Sequence, residues 1–524
     1  MSTYQKEREA FARNIGIKRR DALALLSGAA LAGAMPSAFA QGTPKKGGVL
    51  KVSAPANPSS MDPATGGAGS DHVFLWTVYD TLVDWDYATL KPKPGMAKWS
   101  TPNETTFVLD IEPGIQFHDG TSMDAAAVKF NLDRNRGDQR SNVKADLVNI
   151  TAVEVVSPTQ VKLTLKQADA ALPAILSDRA GMMISPKAVE THGLESNRNP
   201  VGAGRWKFVS WADNQKIVVT RHENYWRKGE PYVDGIELSI IPEMATGLRS
   251  VVAGQNHMAY GLSARYTPII KRAENIRVVS GPTLYCYKLY INFSRGPLAN
   301  VKVRQAINYA LNRQTFINAT MGGVGEPAGM LVPSTHWAYD KGVAGIYKHD
   351  PAKAKKLLQE AGFGSGLELS VGGYNDQDSV RRSEIIMAQL GAVGIKAKFT
   401  NGTIAEISGQ FFGNEKKFDL LMSAWTGRPD PSMTYALAFG KGAYYNAGRS
   451  EASPELSQLL LDSRAKEDLD YRKQVFAKLQ RIVMEQALTA PIAFQFEMDA
   501  VGEQVKGFEP NLLGKPKFWG VSLA

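Results

Sequence analysis

The stretch from residue 289 to residue 311, LYINFSRGPLANVKVRQAINYAL, carries the clearest structural signal of the chain. It begins with apolar and aromatic residues, passes through a Gly-Pro pair, and continues into a segment whose apolar residues recur every three or four positions. That spacing places side chains on one face of a helix. The pattern therefore predicts an amphipathic helix whose buried stripe is Val303, Ala306, Ile307, Ala310 and Leu311.

Strand and helix patterns follow one another on both sides of this stretch. Four segments show the two-residue period of a half-buried strand, namely Thr106–Ile111, Val161–Leu165, Ile217–Thr220 and Ile236–Ile241. A further helix is predicted to begin at Asp350-Pro351 and to end at Gly362, because these residue types suit a cap, a first turn and a helix end. Another helix is predicted around residues 475–486. The mixture predicts an α/β or α+β architecture.

The composition indicates a globular protein with more than one domain. Of its 524 residues, 44% are hydrophobic and 9% are aromatic, which excludes a disordered chain. A chain of this length exceeds what one hydrophobic core normally covers, so we expect two or three domains. The net charge of +10 is not gathered into a basic block interleaved with aromatic residues, so we predict no nucleic-acid binding. The single cysteine, Cys286, excludes an internal disulfide bond.

Residues 1–40 are predicted to be an export signal. Lys18-Arg19-Arg20-Asp21 precedes the charge-free run Ala22–Ala40, whose small final residues suit cleavage after Ala40. The paired arginines resemble a twin-arginine signal, although Asp21 and Ala22 depart from that pattern and leave Sec export as an alternative. A membrane anchor is the other alternative. A cleaved signal with no cysteine nearby predicts a freely diffusing protein of the periplasm.

Sequence motifs typical of catalysis and of cofactor binding are absent. The seven histidines are scattered without metal-ligand spacing, and neither a Walker loop nor a Gly-x-Ser-x-Gly elbow occurs. Gly323–Ala328 fits the dinucleotide fingerprint formally, but it follows a helix pattern and contains Pro327, so we predict a loop there. We therefore predict no cofactor, no metal and no enzymatic activity.

Short motifs follow one another from about residue 47 to residue 508. They include Gly47–Leu50, Met61–Pro63, Phe107–Asp110, Pro113–Gly120, Asn199–Phe208, Asn224–Trp226, Tyr290–Phe293, Val301–Ile307 and Gly391–Ile395. Each motif is weak alone, but their order and spacing resemble the dipeptide, oligopeptide and nickel substrate-binding proteins of solute-binding family 5. The resemblance covers nearly all of the chain beyond the predicted signal.

The resemblance implies an α/β fold of the two-lobe periplasmic-binding-protein kind, type II, cluster C, with an additional inserted subdomain. By the family's layout, one lobe comprises residues 41–80, 205–288 and 500–524, with residues 81–204 as its inserted subdomain. The other lobe comprises residues 289–499. Cys286 then lies near the hinge, where we expect a small buried side chain.

The same resemblance implies a periplasmic substrate-binding component of an ABC importer. The protein would be monomeric, capture a peptide or related small organic solute between its lobes, and deliver it to the permease, whose ATPase subunits supply the energy. Three alternatives stay open: a periplasmic sensor or chaperone-like binding protein, a nickel-chelate binder, and a periplasmic hydrolase on the same scaffold.

A ligand contact is expected in the segment 423–431, SAWTGRPDP. In peptide-binding relatives this segment carries an aspartate for the α-amino group of the peptide, and here Arg428 falls at that place. A guanidinium repels an ammonium and offers a carboxylate a bidentate site, so we predict an acidic ligand. Asp430 either takes over the amine or caps the following turn, and the alternative for Arg428 is a pair with Asp430 or another acid. Trp425 either stacks on the ligand or packs in the core.

Two further groups complete the predicted site. Val380–Glu384 resembles the place where dipeptide binders carry an arginine for the peptide's carboxylate. Arg381 and Arg382 point about 100° apart on a helix, so at most one faces the ligand and both can be exposed to solvent. Tyr444, Tyr445 and Asn446, which precede a polar loop, are predicted to line the wall of the cleft.

Overall fold

The structure of the protein is a computed structural model that describes residues 44–66, 69–448 and 450–524. The predicted signal peptide, residues 1–40, and its twin-arginine pair lie outside the described residues. Strands and helices alternate throughout the described part, as the sequence patterns predict.

The strands are labelled in chain order. They are β1 Val49–Ala54, β2 Val83–Trp85, β3 Pro92–Pro94, β4 Ala97–Asn103, β5 Thr106–Ile111, β6 Ile150–Ser157, β7 Gln160–Leu165, β8 Trp206–Ala212, β9 Lys216–Arg221, β10 Gly235–Ile240, β11 Met258–Ala259, β12 Ile276–Ile291, β13 Gly325–Pro327, β14 Leu367–Tyr374, β15 Ile395–Gly402, β16 Leu420–Thr426, β17 Thr489–Gly502, β18 Val505–Lys506 and β19 Ser522–Leu523.

The α-helices are labelled in the same way. They are α1 Asp71–Val78, α2 Ala125–Gly137, α3 Leu172–Ile175, α4 Pro186–His192, α5 Met244–Val252, α6 Thr267–Ile270, α7 Val301–Ala310, α8 Arg313–Met321, α9 Lys341–Ala344, α10 Pro351–Glu360, α11 Gln377–Gly391, α12 Ile404–Phe412, α13 Pro431–Phe439, α14 Pro454–Asp462 and α15 Leu469–Glu485. Short 3₁₀ turns lie at Arg179–Gly181, Gly193–Asn197, Ala264–Tyr266 and Gly296–Ala299.

A mixed main sheet joins most of the strands. Its order is β15-β14-β16-β12-β17-β11-β1-β10-β9-β8, and β13 pairs with β17. Strand β1 runs parallel to β10 and β11, and β14 runs parallel to β15 and β16, whereas β12, β16 and β17 pair antiparallel. A separate antiparallel sheet has the order β4-β5-β7-β6.

Strands β12 and β17 pass from one half of the main sheet into the other. They pair antiparallel, with a shift of register between Pro282 and Cys286. On one side of that shift, Val501 of β17 pairs with β11, and on the other, Tyr285 of β12 pairs with Thr426 of β16. Proline has no backbone N–H to give to a ladder, so it suits the irregular point of the strand. Both halves therefore share two continuous strands.

The buried apolar side chains form separate cores. The core of one lobe includes Leu50, Val52, Trp76, Trp206, Leu238 and Val501. The core of the other lobe includes Leu289, Val303, Ile307, Leu358, Leu420 and Phe476. A third core packs the four-stranded sheet on α2 and includes Phe107, Leu109, Val128, Leu132 and Leu163. The fold is thus the expected α/β fold with two lobes and an additional, separately packed sheet.

Local sequence signals explain where the predicted elements begin and end. The strand Thr106–Ile111 is confirmed, and helix α7 is confirmed at Val301–Ala310, so that Leu311 packs in the core just outside the helix. Asp350 caps α10 by accepting a hydrogen bond from the backbone N–H of Lys353. Gly362, with φ +88°, follows the end of that helix.

Two sequence expectations concern single segments. Residues 325–327 of the formal dinucleotide fingerprint are not a simple loop, because they pair as the short strand β13 with β17. Cys286 is confirmed as a buried side chain in the core of the second lobe. Burial raises the pKa of its thiol to about 12, so the thiolate is disfavoured.

Candidate functional site

A cleft of about 290 Å³ lies beside the two strands shared by the lobes. Residues of β12, β16 and β17 form one part of its wall, and segments around residues 55–73, 260–261 and 513–516 form the rest. The lining includes Tyr260, Thr283, Tyr285, Thr426, Gln495, Glu497, Leu513 and Lys515. Aromatic rings with a few polar groups are typical of a small-molecule site.

Tyr285 presents an aromatic ring to this cleft. Its ring meets that of Tyr287 edge to face at 5.4 Å, and the hydroxyl of Tyr287 donates a hydrogen bond of 2.9 Å to Oε1 of Gln495. The guanidinium of Arg382 lies 4.8 Å from the ring centre of Tyr287. Of the two adjacent arginines, Arg382 is therefore the one beside the wall of the cleft, whereas Arg381 is exposed to solvent.

Lys515 provides a cationic group at another part of the cleft. Its Nζ lies 3.2 Å from Nδ1 of His72, and Nε2 of His72 lies 2.8 Å from Oδ1 of Asp178. Burial lowers the pKa of Lys515 to about 8, although Asp178 opposes this. Burial also opposes the ionisation of Asp178, but His72, Lys515 and Arg179 hold its pKa below its ordinary value. The Asp178 carboxylate thus stays charged beside His72, which links it to Lys515.

Arg428 lies next to this group, at the contact between the segment 143–180 and helix α13. With Asp146, Asp178 and Arg179 it lines a small cavity of about 20 Å³. Within the described residues, Nε of Arg428 and Nη1 of Arg179 are buried and have no hydrogen-bond partner. Buried guanidinium N–H groups without acceptors are unfavourable, and the contact of Arg428 with a ligand stays a prediction. Arg428 does not pair with Asp430, which answers one of the alternatives left open above.

Asp430 has its partners inside the protein. Its carboxylate accepts bonds of 2.8 and 2.9 Å from Nη2 of Arg472, and it caps α13 by accepting from the backbone N–H of Ser432. Burial opposes its ionisation, but Arg472 keeps the pKa of Asp430 below its ordinary value. The structure therefore gives Asp430 the capping role that the sequence left as an alternative.

The cleft of about 290 Å³ beside β12 and β17, called the hinge cleft below, is not lined by Trp425 or by residues 444–446. The ring of Trp425 is buried and meets Tyr445 edge to face at 5.1 Å, while Tyr444 packs on Phe412 with half its surface exposed. Asn446 is buried and donates hydrogen bonds to backbone carbonyls of its own turn. Their contact with a ligand stays a prediction, and none of them lines the cleft of 290 Å³.

The sequence reading missed two acidic residues of the cleft region. Glu497 lines the cleft, and Asp499 lies two residues further along β17. The signal available was two acids in the strand AFQFEMDAVG, which is otherwise nearly apolar. Charged residues are seldom placed in a buried strand without a role.

The described part of the chain contains neither a cluster of metal-ligating side chains nor a helix long and apolar enough to cross a membrane. In residues 44–66, 69–448 and 450–524, no group of three His, Cys, Asp or Glu side chains could hold a metal ion. Among those same residues, the helices are all too short or too polar to span a bilayer.

Comparison with known proteins identifies the family. The family described as "Bacterial extracellular solute-binding proteins, family 5 Middle" matches residues 91–446, which is more than half of the chain. The chain belongs to this family. As a family 5 protein it is a solute-binding component of an ABC importer, and the resemblance found in its motifs is confirmed.

Relatives agree with this membership. The glutathione-binding protein GsiB of Salmonella paratyphi A is 27% identical over 476 residues, which cover 87% of this chain and 91% of that protein. The structure of HbpA2 from Haemophilus parasuis matches with a TM-score of 0.80 at 22% identity, covering 91% of this chain and all of that one. The periplasmic binding protein DppA from Helicobacter pylori, in complex with the peptide STSA, matches with a TM-score of 0.77 at 23% identity, covering 91% and 98%. These structures share the two-lobe fold of the family 5 protein.

Proposed function

We propose that this family 5 protein captures a short peptide or related small solute that carries at least one carboxylate. The observation that carries the proposal is the pair of buried guanidinium nitrogens without partners among the described residues, Nε of Arg428 and Nη1 of Arg179. Lys515, which lines the hinge cleft, is a further cation near the small cavity that these arginines line, because His72 links it to Asp178. Two planar guanidinium groups and an ammonium are well suited to a carboxylate. The relatives named for glutathione binding support a peptide with free acidic groups.

The proposed mechanism is closure of the two lobes around strands β12 and β17. Residues 41–80, 205–288 and 500–524 form one lobe, residues 81–204 its inserted subdomain, and residues 289–499 the other. The separately packed four-stranded sheet supports the inserted subdomain, and the irregular register near Pro282 supports bending there. Closure excludes water and strengthens the polar contacts made to the ligand.

The site we propose combines Arg428 and Arg179 with Lys515. It adds Arg382, which lies over Tyr287, the ring that packs on Tyr285 of the cleft wall. Asp430 is not part of it, because Arg472 and the start of α13 occupy its carboxylate. The ligand is released unchanged to the permease. We further propose export by the signal in residues 1–40 to the periplasm, where the protein works as a monomer without enzymatic activity.

Replacement of Arg428 tests whether this arginine binds a carboxylate of the ligand. We expect Arg428→Gln to weaken binding of glutathione by about 10- to 100-fold, because a charge-assisted pair is lost. Isothermal titration of the mature protein measures the affinity, and glutathione with both carboxyl groups amidated is the comparison ligand. The matched control is Arg381→Gln, since that arginine is exposed on α11. Equal affinity of Arg428→Gln and the native protein for every carboxylate ligand tried would contradict the proposal.

The identity of the ligand is tested separately. Native mass spectrometry of the protein purified without added ligand shows the mass of any compound enclosed by the lobes. We expect a compound with a free carboxylate, and the same mass after release shows that the protein does not alter it.

A further inference from the structure

Glu497 and Asp499 form an acidic pair on the hinge strand β17. They are two residues apart, so both side chains project from the same face of the strand. That face is turned toward the segment 260–261 of the first lobe, where the backbone N–H of Gly261 donates a hydrogen bond of 3.1 Å to Oδ1 of Asp499. Glu497 lines the hinge cleft together with Tyr260 and Gly261.

The second oxygen of Asp499 has no partner in the described part of the chain. Asp499 is 1% exposed, and its Oδ2 is buried without a hydrogen bond to any described residue. Burial raises the pKa of both carboxyl groups, that of Asp499 to about 7, and the charge of Asp499 raises the pKa of Glu497 further. No basic side chain among the described residues forms an ion pair with either acid. Two adjacent carboxylates without a cation are unfavourable unless they hold a proton or bind a cation from outside.

The cleft of about 290 Å³ beside Glu497 leaves room for such a cation. A Cβ atom at Gly514 would lie 3.2 Å from Oε2 of Glu497, and one at Gly261 would lie 3.7 Å from Oε1. The glycines thus keep the space beside the carboxylate free of side chains. The ring of Tyr260, on the same wall, suits an organic cation. A metal ion is disfavoured, because the described residues around the pair offer no third acidic or histidine ligand.

We propose that Glu497, with the buried Asp499 behind it, binds an ammonium group of the ligand. The inference rests on the proposed function and deepens it: the cleft is acidic at Glu497 and basic at Lys515, and Arg428 lines the neighbouring small cavity. The region therefore takes a ligand with an ammonium and a carboxylate at separate places. An amino acid or short peptide with a free amine has this chemistry. The ligand's amine lies against β17 and its carboxylate toward α13.

Two conservative variants test this assignment. Glu497→Gln and Asp499→Asn remove the charge, and in the second variant the amide oxygen can still accept the bond from Gly261. The probes are glutathione and glutathione acetylated on its amine, followed by titration calorimetry, with three free dipeptides and their acetylated forms measured in parallel. The native protein should prefer the free amines by about 10- to 100-fold, and each variant should lose that preference. An unchanged preference in both variants overturns the proposal, as does a ligand without an amine in the natively purified protein.

The carboxylate site at Arg428 and the ammonium site at Glu497 can be disproved independently of each other. Arg428→Gln should weaken both the free and the acetylated probe and leave the ratio of their affinities unchanged. A different result is that Glu497→Gln loses the preference for the free amine while Arg428→Gln leaves the affinity for both probes unchanged. That result would overturn the carboxylate site and keep the ammonium site.

Calorimetry in buffers of different ionisation enthalpy adds an independent readout at pH 7. The native protein should release protons when a free amine binds, since the pair must ionise, and Asp499→Asn should release fewer. Tyr260, Tyr285 and Lys515 are the other ionisable groups of the cleft lining. If the native protein and Asp499→Asn release the same number of protons on binding the amine, the assignment is contradicted.

Discussion

Asp499 shows how a single buried carboxyl group ties stability to ligand binding. Its Oδ1 is bonded to the backbone of Gly261, its Oδ2 has no partner among the described residues, and burial raises its pKa to about 7. An unfolded aspartate ionises at about pH 4. The folded chain therefore binds more protons than the unfolded chain between these values, and this group makes the free energy of unfolding fall as the pH rises through that interval.

Asp499→Asn should remove this dependence. We expect the ligand-free variant to gain stability over the native protein at pH 8, on the order of 2 kcal/mol, and to gain little at pH 4, where the native carboxyl is already protonated. Thermal unfolding measured at both pH values gives the difference. Asp110→Asn, at an exposed position of β5, is the control that should change neither. A larger gain at pH 4 than at pH 8 would show that the pKa of Asp499 is not raised.

Among the secondary-structure elements, helix α13 is stabilised by Asp430, which is both its N-cap and the partner of a buried arginine. Asp430 caps its first turn and binds Arg472 of α15 through two hydrogen bonds, and both side chains are buried. Asp350 also caps a helix, but within the described residues it has no ion pair with a buried arginine. Comparing the two residues therefore separates the contribution of the helix cap from that of the ion pair with Arg472.

Asp430→Ala should destabilise the protein by about 3–5 kcal/mol, because Arg472 is left charged and buried without its partner. Asp350→Ala should cost about 1 kcal/mol, the usual contribution of a cap. Urea unfolding followed by circular dichroism measures both. Similar losses for the two variants would mean that the pair with Arg472 contributes little.

The elements were largely predictable from the sequence, whereas the site was only partly so. The strand Thr106–Ile111 and the helix capped by Asp350 follow from local spacing and caps, which need no distant partner. Arg428 was predicted as a ligand contact because a family motif marks its place, and that contact stays a prediction. The pair on β17 was missed because its partner, Gly261, lies 238 residues away in the chain, and local spacing carries no information about that contact. Arg472, whose guanidinium donates hydrogen bonds to the Asp430 carboxylate, was missed for the same reason.

Across the molecule as a whole, contacts away from strands β12 and β17 join two segments that we propose to lie in different lobes. Arg464 donates bonds of 2.8 and 2.6 Å to the two carboxylate oxygens of Asp169, and its carbonyl accepts from the backbone N–H of Ala170. Nearby, Nε1 of Trp99 donates to Glu467 at 3.3 Å. These bonds connect the segment 81–204 with the segment 289–499. Under the lobe boundaries proposed above, they form only while the lobes are together.

Arg464→Gln should therefore weaken ligand binding without touching the ligand. We expect affinity to fall about three- to tenfold, mainly through faster dissociation, because fewer molecules occupy the closed form. Stopped-flow fluorescence measures the rates, and small-angle scattering measures the change in size. Lys473→Gln, which removes an exposed pair on α15, is the control. Unchanged dissociation in Arg464→Gln would mean that the contact does not hold the lobes closed.

The buried position of Cys286 also makes the protein a convenient reporter of its own motion. The chain contains one cysteine, and its thiol is enclosed and held protonated, so maleimide dyes should leave the native protein unmarked. Two cysteines introduced on opposite rims would then carry donor and acceptor dyes with no native thiol to remove. Energy transfer between them would follow individual molecules as they open and shut.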